Sequence, residues 1–194
     1  EELRSKNLTI PKTFLIKDAH KLKFPIIVKP RFGRGSRGVV TINNSSQIDA
    51  YLSLYGGKHD DYVAQELILG QEYTVFVSIN SDGKLSAIIP VKVGVKKGIT
   101  IAAQIESVPE IYEYIKIFQS LFKAKSIYNF QCMLTKDGVV MPFEINPRIS
   151  TTFCLAISTG YDPIEAFEKH DSSGTIFIPE KKMHLQRSWV NFIN

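Results

Sequence analysis

Glu144 and Asn146 stand two residues apart in an otherwise apolar run, Met141-Pro142-Phe143-Glu144-Ile145-Asn146-Pro147-Arg148. In a strand, residues two apart project from the same face. A carboxylate and an amide then present oxygen ligands side by side, with Arg148 just beyond. Hard oxygen donors suit Mg²⁺, and Mg²⁺ usually arrives with nucleotide phosphates.

The elements around this run multiply the donors. Residues 128–134 and 139–145 read as two strands flanking Lys136-Asp137-Gly138. Asp-Gly as a two-residue type I′ loop pairs Lys136 with Val139. Counting back along both strands sets Gln131 opposite Glu144 and Asn129 opposite Asn146. Directly opposed side chains are about 5 Å apart at Cβ, so three or four oxygen donors gather around one point. The other face, Phe130, Cys132, Leu134, Phe143 and Ile145, is expected to be core. A solvated polar face is the alternative on an antiparallel sheet. Asn is depleted in strands, however, and two at matched positions beside Gln and Glu favour metal or nucleotide binding.

A second segment offers phosphate chemistry. Val28-Lys29-Pro30-Arg31-Phe32-Gly33-Arg34-Gly35-Ser36-Arg37-Gly38-Val39 follows a strand. Glycines let backbone N–H groups approach phosphate oxygens closely. It is not a Walker A motif, because no Gly-Lys-Ser/Thr ends it, and a strand rather than a helix follows. That following strand also excludes a Rossmann turn. Alone, the loop reads equally as a flexible hairpin tip. Lys29 argues otherwise, since a charge closing a buried strand must find a partner, and a phosphate oxygen is the natural one.

Composition narrows the classes. The 194 residues suffice for one domain or two small lobes, and a 44% hydrophobic, 22% charged chain is ordinary for a globular protein. No apolar run approaches the ~20 residues of a membrane span. The opening Glu1-Glu2-Leu3-Arg4 lacks the basic and apolar regions of a signal peptide. Cys132 and Cys154 have no metal-type spacing and are expected as buried thiols in a reducing, cytoplasmic compartment. His20, His59, His170 and His184 fit no motif and read as surface or packing residues. The net charge of +5 is modest, and its basic residues cluster at Lys29, Arg31, Arg34 and Arg37. A compact polyanion such as a triphosphate suits that cluster better than a nucleic-acid backbone.

The remaining elements follow from periodicity and punctuation. Residues 3–8 read as the end of a helix, and 9–16 turn into a strand, as though the chain begins partway through a larger protein. Strands are expected over 24–28 and 39–42. Ser46-Gln47-Ile48-Asp49 resembles a capping box opening a helix to Tyr55, stopped by Gly56-Gly57. Residues 62–67 read as a strand, and 72–79 with 85–91 as a hairpin across Asn80-Ser81-Asp82-Gly83. Pro109 opens a helix to Lys123, with Ile111, Ile115, Phe118 and Phe122 at helical spacing. Further helices are expected after Arg148 and over 163–170, and the tail from 175 alternates like one or two strands. Gly56, Gly57 and Gly70 are the candidate hinge positions.

Together, Asn129-Phe130-Gln131, Phe143-Glu144-Ile145-Asn146-Pro147-Arg148, Val28-Lys29-Pro30 and the glycine loop resemble an ATP-grasp domain. The resemblance covers residues 11–170 and points toward carbamoyl-phosphate synthase large chains and smaller carboxylate–amine ligases. It implies an α+β fold of two lobes with mainly antiparallel sheets clasping ATP between them. The lobes are expected as residues 1–66, with the glycine-rich loop, and 67–194, with the metal site. Lys29 matches the basic residue on the nucleotide's phosphates, and Gly33, Arg34, Gly35, Ser36 and Gly38 match the loop closing over them. Glu66, Leu67, Ile68 and Leu69 match the inter-lobe segment holding adenine, and Glu72 the carboxylate on the ribose hydroxyls. Gln131, Glu144 and Asn146 match ligands of Mg²⁺ (or Mn²⁺), with Asn129 beside them. Arg148 matches the arginine stabilising the transferring phosphoryl group. Carbamoyl-phosphate synthases carry a histidine in a Gly-x-His arrangement where Gly94-Val95-Lys96 stands here. Lys96 preserves the cation but changes what the acceptor meets.

The resemblance implies an enzyme that activates a small carboxylate with ATP for attack by an amine, a thiol or a similar nucleophile. It also implies a preceding substrate-binding domain, expected to be missing from this chain, and allows a homo-oligomer. A non-catalytic nucleotide-binding module is the alternative, and a nucleic-acid-binding domain is disfavoured.

Overall fold

The computed structural model describes residues 2–33, 35–168 and 174–190. Ile10–Leu69 form one compact unit, and the residues up to Thr9 with those from Gly70 onward form a second. Both are α+β, and their strands pair antiparallel throughout the named ladders.

A short helix, α1 (Glu2–Ser5), opens the chain. The smaller unit then runs through β1 (Thr13–Leu15), a 3-10 turn, β2 (Ile26–Pro30), β3 (Val40–Ile42), α2 (Ser46–Tyr55) and β4 (Tyr62–Glu66). Its sheet has the order β1-β4-β2-β3. Ile26 and Val28 alternate onto one face, and both are fully buried with Ile42, Ala64 and Tyr51. Strand β2 starts at Ile26 rather than at Phe24, and β4 stops at Glu66, one residue short of expectation.

The capping box expected at Ser46 does not form. The Ser46 hydroxyl donates to Asn44 Oδ1 (2.6 Å), which also accepts the Gln47 N–H (3.3 Å). Gln47 Oε1 in turn accepts the Asn43 N–H at 2.7 Å. Two side-chain amides, Asn44 and Gln47, thus accept hydrogen bonds at the start of α2 in place of the Ser46–Asp49 exchange. At the other end, the Gly56 N–H closes on Leu52 O at 2.9 Å.

The larger unit comprises β5 (Gln71–Ile79), β6 (Leu85–Lys97), β7 (Ile99–Ile105), α3 (Pro109–Phe122), β8 (Ile127–Leu134), β9 (Val140–Asn146), α4 (Phe153–Ser158), α5 (Pro163–Glu168) and β10 (His184–Gln186). Its six-stranded sheet has the order β10-β7-β6-β5-β8-β9. On one face, Val75, Val77, Ile88, Phe130 and Cys132 pack against Ile111, Ile115 and Phe118 of α3. The period of α3 is therefore the one its sequence carries. On the other face, Phe76, Ile89, Val91, Ala103 and Ile105 are covered by Leu155, Ala156 and Tyr161. Gly70 is fixed by packing: a Cβ there would lie 2.2 Å from the Leu134 carbonyl oxygen.

One further expectation is corrected. Cys132 is buried but Cys154 is exposed, because α4 turns Leu155 and Ala156 inward instead. The tail, expected as one or two strands, contributes β10 and a bridge between Ala87 and Phe177 among the described residues. The end of the helix expected over 163–170 lies outside the described residues, as does His170. No described helix is long and apolar enough to cross a membrane.

Candidate active site

The β8–β9 hairpin turns differently from its sequence signature. A type I′ loop needs positive φ at both central residues, yet Gly138 has φ 75° and Asp137 is not among the positive-φ residues. The Gly138 N–H donates to Thr135 O (3.1 Å), and Thr135 N–H to Val139 O (3.0 Å). Three residues, Lys136 to Gly138, therefore form the loop, with glycine in the left-handed position. The Thr135 hydroxyl favours this closure by accepting the Val139 N–H at 3.1 Å.

That loop leaves Leu134 opposite Val140 and Cys132 opposite Pro142. The ladder then shifts, so that Gln131 faces Glu144 and Asn129 faces Asn146. Phe143 is the extra residue. It sits half-buried in a β-bulge rather than in the core face expected for it. The bulge compensates the longer turn, and the four polar residues share one face.

Register across β5 extends this face. Thr74 pairs with Val91 on β6 and Gln131 on β8, while Phe76 pairs with Ile89 and Asn129. The apolar end of these rows lies under α4, and the polar end falls on β8 and β9. Buried Thr74 donates its hydroxyl to Asn129 Oδ1 at 2.7 Å. This turns the Asn129 N–H donors away from Thr74, a geometry suited to an anion. Asn146 Nδ2 donates to Glu144 Oε1 at 2.9 Å, which leaves Asn146 Oδ1 and Glu144 Oε2 as acceptors beside Gln131. One carboxylate with two amide carbonyls fits Mg²⁺, which is held by one or two carboxylates together with substrate phosphates. No group of three or more His, Cys, Asp or Glu among the described residues is arranged to hold a metal.

Glu72 and Lys96 meet directly. Bulges on either side of Val95 re-aim the end of β6, with Gly94 unpaired between Val93 and Val95. Lys96 Nζ then lies 2.6 Å from Glu72 Oε1, with side chains 32% and 25% exposed. Thr74 was not singled out in the sequence, and its signal lay in the β5 register. Burial pushes the Cys132 thiol, on the opposite face, up to about 12, with the Glu72 charge adding to it.

Arg148 is exposed just past β9. Its N–H returns to Asn146 O (2.8 Å), and its Nη1 donates to Ile149 O (3.1 Å).

In the smaller unit, Lys29 Nζ donates to Gln65 Oε1 (3.1 Å), and Gln65 Nε2 to Thr13 Oγ1 (2.9 Å). A neutral relay thus orients the lysine. Gly35, Ser36 and Gly38 have positive φ of 65°, 57° and 73°, and Gly33 is exposed. Tyr51 donates its hydroxyl to Gly38 O at 2.7 Å. Burial, with Tyr62 and Tyr55 adding, raises that phenol to about 12. Arg34 lies outside the described residues. Glu66 ends β4, where its carboxylate accepts the Lys12 N–H at 3.1 Å. Leu67, Ile68 and Leu69 follow without regular structure, and Leu69 is 79% exposed.

The family model described as ATP-grasp in the biosynthetic pathway with Ter operon matches residues 58–191, more than half of the chain. The chain belongs to the ATP-grasp family. Among solved structures, this ATP-grasp chain is similar to an L-amino acid ligase from Bacillus licheniformis. That likeness has a TM-score of 0.71 at 20% identity, over 94% of this chain and 50% of the other. It is also similar to a biotin carboxylase from Campylobacter jejuni, with a TM-score of 0.70 at 15% identity, over 84% and 42% of the two chains. A third likeness is to N5-carboxyaminoimidazole synthase from Aspergillus clavatus, solved with ADP and 5-aminoimidazole ribonucleotide. There the TM-score is 0.70 at 17% identity, over 85% and 47%. At these identities the likeness is one of fold, and the chain spans half or less of each protein's length.

Proposed function

We propose that this ATP-grasp chain carries the phosphoryl-transfer chemistry of a Mg-ATP-dependent ligase that activates a small carboxylate as an acyl phosphate. The observation that carries this reading is the Gln131–Glu144 pair with Asn146 bonded to Glu144, at the polar end of a sheet face. The family membership makes ATP the matching nucleotide, and the named activities of the similar proteins include carboxylation and amino acid ligation.

A carboxylate oxygen attacks the γ-phosphorus while the bond to the β-phosphate oxygen breaks, releasing ADP. An amine or similar nucleophile then attacks the acyl carbon, expels phosphate and loses its proton. Such transfer depends on positioning and charge stabilisation more than on covalent help from the protein. Gln131, Glu144 and Asn146 would hold Mg²⁺ (or Mn²⁺), which neutralises phosphate charge when bound. Lys29 and the backbone at Gly33, Arg34, Gly35, Ser36 and Gly38 are assigned to the phosphates. Glu66, Leu67, Ile68 and Leu69 are assigned to adenine and Glu72 to ribose. Arg148 stabilises the transferring phosphoryl group, and Asn129 offers N–H donors to the same anion. A carbamoyl-phosphate synthase-like reaction on bicarbonate is the finer reading. Lys96, beside Gly94, puts an ammonium where that family has an imidazole, so the acceptor need not be bicarbonate. The acceptor contacts and any assembly with a further domain or second copy belong to the same proposal.

The test is a screen of carboxylate and amine pairs for ADP release by the full-length protein with Mg²⁺. Release that requires one particular carboxylate is expected. ATP turnover indifferent to every carboxylate, or none at all, contradicts the reading.

A further inference from the structure

Arg187 lies just past β10, outside every motif that carries the family resemblance. Its N–H donates to Ile101 O at 2.9 Å, which seats the tail against β7. Its half-buried side chain then spans two segments. Nε donates to Thr100 O at 2.9 Å, and Nη2 donates to Thr151 O. Thr100 is the cross-strand partner of Lys96. Thr151 lies three residues beyond Arg148, in the loop before α4. One planar fork is therefore bonded to the backbone beside both cations assigned to phosphoryl transfer and its acceptor.

Among the described residues, the loop's other side-chain hydrogen bonds are local. Ser150 Oγ lies 2.7 Å from Thr152 Oγ1 and accepts the Thr152 N–H at 3.3 Å. Arg148 bonds to the neighbouring Ile149 carbonyl rather than to a distant element. These bonds shape the loop locally but do not fix it to the sheet, whereas the Thr151–Arg187–Thr100 bridge does. A guanidinium suits this task because its donors are held in a rigid fork, which a lysine cannot reproduce.

We infer that Arg187 is a positioning residue that holds the Arg148–Thr152 loop in register with the Lys96 strand end. The inference rests on the proposed ligase reading for its kinetic consequence, but not for its structural one.

The test compares wild type, Arg187→Ala and Arg187→Lys by hydrogen–deuterium exchange and by kinetics. In Arg187→Ala, amides over 149–153 and 96–101 are expected to exchange about tenfold faster, with α3 and β5 unchanged. Turnover should fall about tenfold to a hundredfold, as expected for misplaced groups, with a smaller rise in the KM for ATP through the Lys96–Glu72 contact. Arg187→Lys keeps the charge without the fork and should recover only part of both effects. Unchanged local exchange overturns the inference. So does acceleration spread evenly through the unit, or an exchange effect with no change in turnover of an active enzyme. A wild-type protein that releases no ADP with any carboxylate overturns the ligase reading instead, and the exchange arm then decides the role of Arg187.

Discussion

Gln131 and Glu144 are cross-strand partners, although the turn that joins their strands closes one residue out of that register. Phe143 restores the pairing as a bulge. Two features that each shift a ladder by one residue therefore cancel, and the polar residues of β8 and β9 stay on one face. A shift without its partner would turn Glu144 and Asn146 toward the α3 side, where a carboxylate would meet the buried Phe130 and Cys132 of β8.

The Glu72–Lys96 contact predicts coupling in nucleotide binding. At 2.6 Å, the ammonium fixes the carboxylate that is proposed to meet the ribose. Glu72→Gln and Lys96→Met are each expected to weaken ATP binding about tenfold. The double variant should do little more, giving a coupling of about 1 kcal/mol. Isothermal titration of the four proteins checks this. Strictly additive losses would mark the contact as a surface pair without a part in binding.

How much of this was legible in the sequence differs by residue. Counting from a two-residue loop gives the Gln131–Glu144 pairing only because the bulge at Phe143 offsets the longer loop that forms, while hydrophobic alternation sets the shared face. A bulge at Phe143 has no signature in one strand, since it arises from twist and the demands of both partners. The sequence expectation ends this strand at Val91, so the extension of β6 through the Gly94 bulge to Lys97, and the re-aiming of Lys96, come from the structure alone. The role of Arg187 was not readable, because it depends on a tail returning to β7 from a distance no local pattern encodes.

The two thiols predict opposite reactivity. Cys132 is buried, and its thiol is raised from 9.0 to about 12, whereas Cys154 is exposed. Only the thiolate is nucleophilic. An aromatic disulfide reagent at pH 8 should therefore titrate one cysteine in the native protein and both in denaturant, and Cys154→Ser should abolish the native reaction. Two native equivalents would contradict the burial of Cys132. Because the folded state keeps this proton longer than the unfolded state, the thiol's contribution to stability is full below pH 9.0 and fades as pH rises toward about 12.

The most direct test of the account is Mg²⁺-dependent ATP binding by Glu144→Ala, with circular dichroism to verify the fold. Glu144 is exposed, and its side chain accepts a hydrogen bond from its neighbour Asn146, so the fold should survive its loss. Wild type is expected to bind ATP more tightly with Mg²⁺ than without it. In Glu144→Ala the Mg²⁺ enhancement should fall at least about tenfold, or ~1.4 kcal/mol. A folded Glu144→Ala protein with undiminished Mg²⁺ enhancement would contradict the assignment of this cluster.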